Sequence, residues 1–257
     1  MSIRHFLPFA LLFSLVLTGC PAAKLYREGH DFDEYGSDYE AAMKYLDALD
    51  VNDHFKKAQD ALAAVAPDAY AEQLALATSA EEASNFPDAL TEYKALKWML
   101  DRLQERQGLA FTVVDVRKKI DEMENAAAEE RYRSGESLLA QGAWERAIGE
   151  YGAAEGFKHG YKDTAEKTAL AFYSWADENV TRRAYRQGAE HYLKAMERGG
   201  RSYQDASAKS GAIYAALGRH FIGADRCRQA VRDLRQAGDL LGNGSVSADL
   251  AAAESCA

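Results

Sequence analysis

The stretch RYRSGESLLAQGAWERAIGEYGAA, residues 131–154, decides the fold. Gly135, Leu138, Ala147, Tyr151 and Ala154 stand at helical spacings within two runs of good helix formers, and Gly142 lies between the runs. A glycine just past a helix end accepts the left-handed backbone that closes the helix and turns the chain. The stretch therefore predicts two antiparallel helices joined at Gly142. Small residues let the paired backbones touch, and the large ones fill the gaps between neighbouring pairs.

Outward from this hairpin the same spacing returns. Phe172, Trp175 and Ala176, followed by Gly188, Tyr192 and Ala195, make a second copy. Tyr214, Leu217, Gly218 and Phe221, followed by Ala230, Leu234 and Ala237, make a third. Ala147, Gly188 and Ala230 are separated by 41 and then 42 residues, and Gly160-Tyr161-Lys162-Asp163 returns 42 residues later as Ser202-Tyr203-Gln204-Asp205. Upstream, Leu76, Ala77, Ala89, Tyr93 and Leu96 form another copy. Tyr26, Ala42, Leu46 and Leu49 form a poor one, with His30 where a small residue is usual. Between Ala89 and Ala147 the spacing is 58 residues. There Leu96, Met99, Leu100 and Leu103 continue an amphipathic helix, Gly108 breaks it, and Thr112 with Asp115 reads as a capping box opening a helix towards Leu139.

An aromatic, Leu-Gly, a second aromatic, then alanine and a large apolar residue together resemble the tetratricopeptide (TPR) repeat. The resemblance covers roughly residues 70–240. The period exceeds the family's about 34 residues, and the proline that usually follows the second helix is absent. The resemblance implies an all-α, TPR-like helical-hairpin solenoid whose first helices line a groove for an extended or helical segment of another protein. By the same resemblance Tyr132, Glu136, Leu139, Tyr173, Asp177, Val180, Arg219 and Ile222 face that groove.

Composition agrees with an all-α chain. The four prolines stand at positions 8, 21, 67 and 87, so everything after Pro87 is free to be helical. The formal charge of −9 argues against nucleic-acid binding, which depends on neutralising phosphates. Charge is uneven, however: from Arg182 to Arg235 twelve Lys/Arg oppose five Asp/Glu.

The N-terminus reads MSIRHFLPFALLFSLVLTGC. One cation, Arg4, precedes an apolar run from Phe6 to Val16, which is shorter than the roughly 20 residues a transmembrane helix needs. Leu17-Thr18-Gly19-Cys20 resembles the bacterial lipobox. That resemblance implies cleavage before Cys20, acylation of Cys20 and a membrane-held chain in the cell envelope; Pro21 in place of aspartate favours the outer membrane, facing the periplasm. With Cys20 acylated, Cys227 and Cys256 remain in an oxidising compartment, either as a disulfide, the expected state, or as two separate buried thiols.

No sequence motif for catalysis stands out. The five histidines at 30, 54, 159, 191 and 220 are never three to five residues apart, and neither a P-loop nor a Gly-x-Ser-x-Gly elbow occurs. Asp31-Phe32-Asp33-Glu34-Tyr35-Gly36 starts like a calcium loop, but the twelfth place is Ala42, where a bidentate glutamate belongs. Trp98, Trp144 and Trp175 fall on predicted packing faces or turns. Arg182, Arg183, Arg186, Arg226, Arg228, Arg232 and Arg235 form one cationic face or pair with acids of adjoining helices.

The expected organisation is a signal peptide over 1–19, an anchor and irregular TPR-like part over 20–107, a regular array over 108–241, and a tail or capping helix over 242–257. The expected function is a non-enzymatic, lipid-anchored scaffold without cofactor or metal that binds another envelope protein. It resembles TPR lipoproteins serving outer-membrane assembly, pilus biogenesis or cell-wall enzyme regulation. The alternative is a cell-wall or lipid-headgroup binding module using the arginine-rich 182–235 region.

Overall fold

The computed structural model describes residues 20–106 and 111–257, which form eleven α-helices, one short 3-10 turn and no strand. The segment before Cys20 and the residue Gly108 lie outside the described residues. The helices are α1 (Pro21–Glu34), α2 (Asp38–Val51), α3 (Lys56–Glu82), α4 (Phe86–Arg106), α5 (Val116–Ala140), α6 (Trp144–Phe157), α7 (Thr164–Thr181), α8 (Tyr185–Gly199), α9 (Ala206–Gly223), α10 (Cys227–Leu241) and α11 (Ser247–Cys256). Two compact units divide the chain, the first ending at Glu124 and the second running from Asn125 to Ala257, so the division falls inside α5. Within each unit consecutive helices pack as a TPR-like stack of hairpins.

Every hairpin turn uses one residue in the left-handed region: Gly36 (φ 72°), Ser84 (φ 57°), Gly142 (φ 71°), Arg183 (φ 63°) and Asp225 (φ 55°). That conformation reverses the chain within about three residues and lets the second helix start at once. Gly142 behaves as its sequence context predicts. Serine, arginine and aspartate take the same conformation elsewhere, where only the surrounding packing holds it.

Inside each hairpin, a large side chain of the second helix lies over a small residue of the first. A Cβ added at Gly135 would stand 2.7 Å from the Tyr151 ring, and one at Gly29 would stand 2.7 Å from Tyr45. The spacing is 16 residues in both hairpins. Ala77 and Tyr93, and Ala176 and Tyr192, stand at the same interval, and all four are buried. In the last hairpin Gly218 and Leu234 replace the pair. The first hairpin thus belongs to the pattern more fully than its sequence suggests. Its small residue is Gly29 rather than His30, and Ala41 and Tyr45 carry the register instead of Ala42 and Leu46.

Three other sequence expectations change. Helix α5 opens at Val116, where Asp115 Oδ1 accepts from the Lys118 N–H at 3.1 Å, so Asp115 itself caps the helix in place of a Thr112 box. Asp31–Glu34 close α1 as helix, and Asp33 accepts the Tyr45 hydroxyl at 3.5 Å, so no calcium-type loop forms. Trp98 is 55% exposed, not a packing residue, and its ring lies 4.9 Å from the Arg102 guanidinium.

The last hairpin is covered by α11. Val246 and Ala253 join its apolar cluster, Arg219 and Arg235 pair with Asp249 and Glu254, and a disulfide links Cys227 to Cys256 with Cα atoms 5.8 Å apart. A ten-residue helix is too short to persist alone in water, so these ties hold it.

Two outcomes test this packing. Gly135→Ala should lower the urea midpoint by the equivalent of about 1–3 kcal/mol, the cost of overpacking, whereas Gly149→Ala, on the open face of α6, should raise it by about 0.5–1 kcal/mol. Cys256→Ser should cost about 3–4 kcal/mol for a bridge spanning 29 residues, with amide-exchange protection lost first in α11.

Candidate functional site

A buried tyrosine ring brings a hydroxyl that must find a partner. Tyr93, Tyr151 and Tyr192 are at most 2% exposed, and each donates to a carboxylate on the first helix of its own hairpin: Glu81, Glu136 and Asp177. A lysine from the following first helix then meets the same carboxylate. Lys119 reaches Glu81 at 2.8 Å, Lys167 reaches Glu136 at 2.9 Å, and Lys209 reaches Asp177 at 3.0 Å. Tyrosine, acid and lysine therefore bond each hairpin internally and then to its successor.

The electrostatics follow from this geometry. Burial works against the charge of Glu81 and Glu136, but hydrogen bonds from lysine and tyrosine outweigh it and hold both below the usual carboxylate range. Burial, then the neighbouring carboxylate, raises the tyrosines. Burial also opposes the Lys209 cation, and its bonds to Tyr173 and Asp177 reverse that effect and raise it.

The loops that lengthen the repeat join the same network. Tyr132 donates to Asp163 at 2.6 Å, and Tyr161 donates to Glu129 at 2.7 Å. Lys162 pairs with that glutamate and sits 4.5 Å from the Tyr132 ring. One repeat later Tyr173 donates to Asp205 and packs against Tyr203, with Lys209 4.5 Å from its ring. The recurring Tyr-x-Asp therefore reaches back to the preceding first helix.

Of the eight residues assigned to a groove by resemblance, Tyr132, Glu136, Tyr173 and Asp177 are thus engaged between hairpins. Leu139 packs against Leu138 and Tyr151, and Ile222 against the cluster around Leu234. Arg219 binds Asp249 of α11 at 3.0 Å. Val180 alone borders an open space, an apolar cleft of about 570 Å³ lined with Tyr185, Ala212, Ile213, Ala216, Leu217 and His220. The cleft lies where α7 turns into α8 and α9 passes alongside. Tyr185 remains 45% exposed at its edge, and Ala212, Ala216 and His220 are exposed along α9. Sequence reading missed these residues. Their spacing at 212, 216 and 220 marked one face of α9, but two alanines do not distinguish a cleft wall from a surface.

The arginine-rich stretch divides. Arg182 pairs with Glu178 at 2.5 Å, Arg186 with the buried Asp233 at 2.6 Å, and Arg235 with Glu254 at 2.8 Å. Arg232 stands 3.8 Å from Asp233. Arg226 lies 4.8 Å from the Phe221 ring, and among the described residues neither it, Arg183 nor Arg228 forms an ion pair.

No protein-family model matches the chain, and no curated protein matches it. Among solved structures it is similar to the TPR2AB domain of yeast Sti1 in its pHSP90 complex, at 16% identity over 91% of this chain and 98% of that one. The TM-score of 0.23 gives that likeness no weight beside the hairpin geometry of the chain itself.

Acid should weaken the network with a definite sign. The Lys162 hydrogen bond, then that of Tyr161, holds Glu129 at about 2, against an ordinary 4.5. A depressed carboxylate contributes stability that is complete above its unfolded value and lost as the pH falls through its folded value. The urea midpoint should therefore fall steadily from about pH 5 to about pH 2, and Glu129→Gln should flatten that slope. A wild-type midpoint unchanged across this window would contradict the assignment.

Proposed function

We propose that the protein is a non-catalytic scaffold that docks a segment of another protein in the α7–α9 cleft. The observation that carries this reading is that the cleft stays open and apolar while neighbouring hairpin-facing polar groups are mutually bonded. An apolar concavity with an exposed tyrosine at its edge suits a few large side chains of a partner segment.

The scaffold is further read as a bacterial envelope lipoprotein, held by lipid on Cys20 at the outer membrane and facing the periplasm, with an envelope protein as partner. Leu17-Thr18-Gly19-Cys20 supports this reading, as does Pro21 in place of aspartate. Cys20 is exposed immediately ahead of α1, where a lipid would not disturb the helices. A disulfide suits an oxidising compartment. Among the described residues no helix is long and apolar enough to cross a membrane, so lipid supplies the attachment in this reading. Wall or headgroup binding as the main task fits less well, because Arg186, Arg219 and Arg235 already hold carboxylates.

Photo-cross-linking in the cell checks the reading. A benzoyl-phenylalanine at position 185 or 220 should capture one envelope protein that the same group at Tyr35 does not, and Ala216→Trp should abolish the capture. Cys20→Ser should move the chain from the membrane to the soluble fraction and remove metabolic labelling by an alkyne fatty acid. Equal capture at all three positions would defeat the docking reading, and unchanged fractionation with no labelling would defeat the anchor.

A further inference from the structure

We propose that the α7–α9 cleft selects an acidic peptide segment carrying a large apolar side chain, with the peptide's carboxylates held by arginines on the adjoining hairpin-turn edge. This rests on the cleft being the docking site proposed above, and it adds the chemistry of the occupant.

Antiparallel hairpins stacked in sequence place the α7–α8 and α9–α10 turns on one edge of the second unit. Residues 182–186 and 224–228 carry Arg182, Arg183, Arg186, Arg226 and Arg228 against the single acid Asp225. Two of these cations are occupied, Arg182 by Glu178 and Arg186 by Asp233. Arg183, Arg226 and Arg228 have no carboxylate among the described residues. The Arg226 guanidinium rests near the Phe221 ring, which orients it and leaves its N–H groups for an incoming acceptor.

Arg183 adds an independent sign. It occupies the left-handed turn position that glycine fills in two other hairpins, Gly36 and Gly142. A long β-carbon-bearing side chain is disfavoured there, so the turn by itself does not call for arginine. Tyr185, two residues on, forms the cleft wall. The unpaired cations therefore border an apolar concavity, and a ligand that satisfies both needs carboxylates beside an apolar group. A peptide carries these on neighbouring residues. A wall polysaccharide lacks the apolar anchor, and a flat bilayer surface does not enter a recess between helices.

The test uses the purified full-length chain and a displayed library of random 16-residue peptides, with phosphatidylglycerol vesicles as a second probe. Two sets of variants keep the fold. Ala216→Trp fills the cleft from an exposed helical position, and the double variant Arg183→Glu, Arg228→Glu reverses charges that hold no internal partner. Enriched peptides should be net acidic with at least one large apolar residue, should be lost with Ala216→Trp, and should bind the double variant about tenfold or more weakly. Peptides that need the open cleft but show no acidic bias, or that ignore the double reversal, would overturn the charge selection and leave the docking site standing. Binding to vesicles alone, or peptide binding indifferent to Ala216→Trp, would overturn both.

Discussion

A tyrosine buried between two helices imposes a condition that an alanine or leucine does not: its hydroxyl has left water and must be accepted by something. In this protein the acceptor is a carboxylate on the facing helix, and a carboxylate in such a place needs a cation. The cation arrives on the first helix of the following hairpin. Tyr93–Glu81–Lys119, Tyr151–Glu136–Lys167 and Tyr192–Asp177–Lys209 each solve this chain of requirements in the same order. Apolar packing brings hairpins together without direction; the triads supply direction and register, because each member has one partner it can reach.

The last hairpin shows what happens when the condition is lifted. Leu234 takes the tyrosine's place over Gly218 and has no hydroxyl to satisfy, so neither acid nor lysine is required. At the position that holds Glu136 and Asp177 in the preceding repeats stands Arg219, which turns to Asp249 on α11. The join to the following element then rests on apolar contacts, two exposed ion pairs and a disulfide. Exposed pairs contribute little each, so the covalent link matters more here than among the other hairpins.

Division of labour among side chains bears directly on function. Groups that bond one hairpin to the next are already committed, and a partner would have to break those bonds to use them. What remains available is the space where α7 ends before α9 does, and the arginines that the turns leave without carboxylates. Both lie in the second unit, where the repeats are most regular, which gives a docking segment a well-defined wall.

How much of this was legible in the residues depends on distance along the chain. Helical hairpins, the Gly142 turn and the 41–42-residue period follow from local spacing, since small residues at fixed intervals are what close helix packing needs. The pairing of two cysteines was readable as a possibility, since three cysteines with one acylated leave a pair. The first hairpin was misread by one residue because Gly29 and His30 are neighbours, and only the position of the Tyr45 ring shows which of them faces it. The acid's place was also hidden. In two hairpins it stands one residue after the small residue and in two others four residues after it, positions that share a helix face but look unrelated in a row of letters. Whether Tyr132 or Asp177 faces solvent or a neighbouring hairpin is set by side chains some 30 residues away, and helical periodicity names a face without naming what lies opposite it. Composition and spacing thus determined the helices and their repeat. Tertiary structure alone decided which polar groups are spent on holding the hairpins together and which cleft is left open.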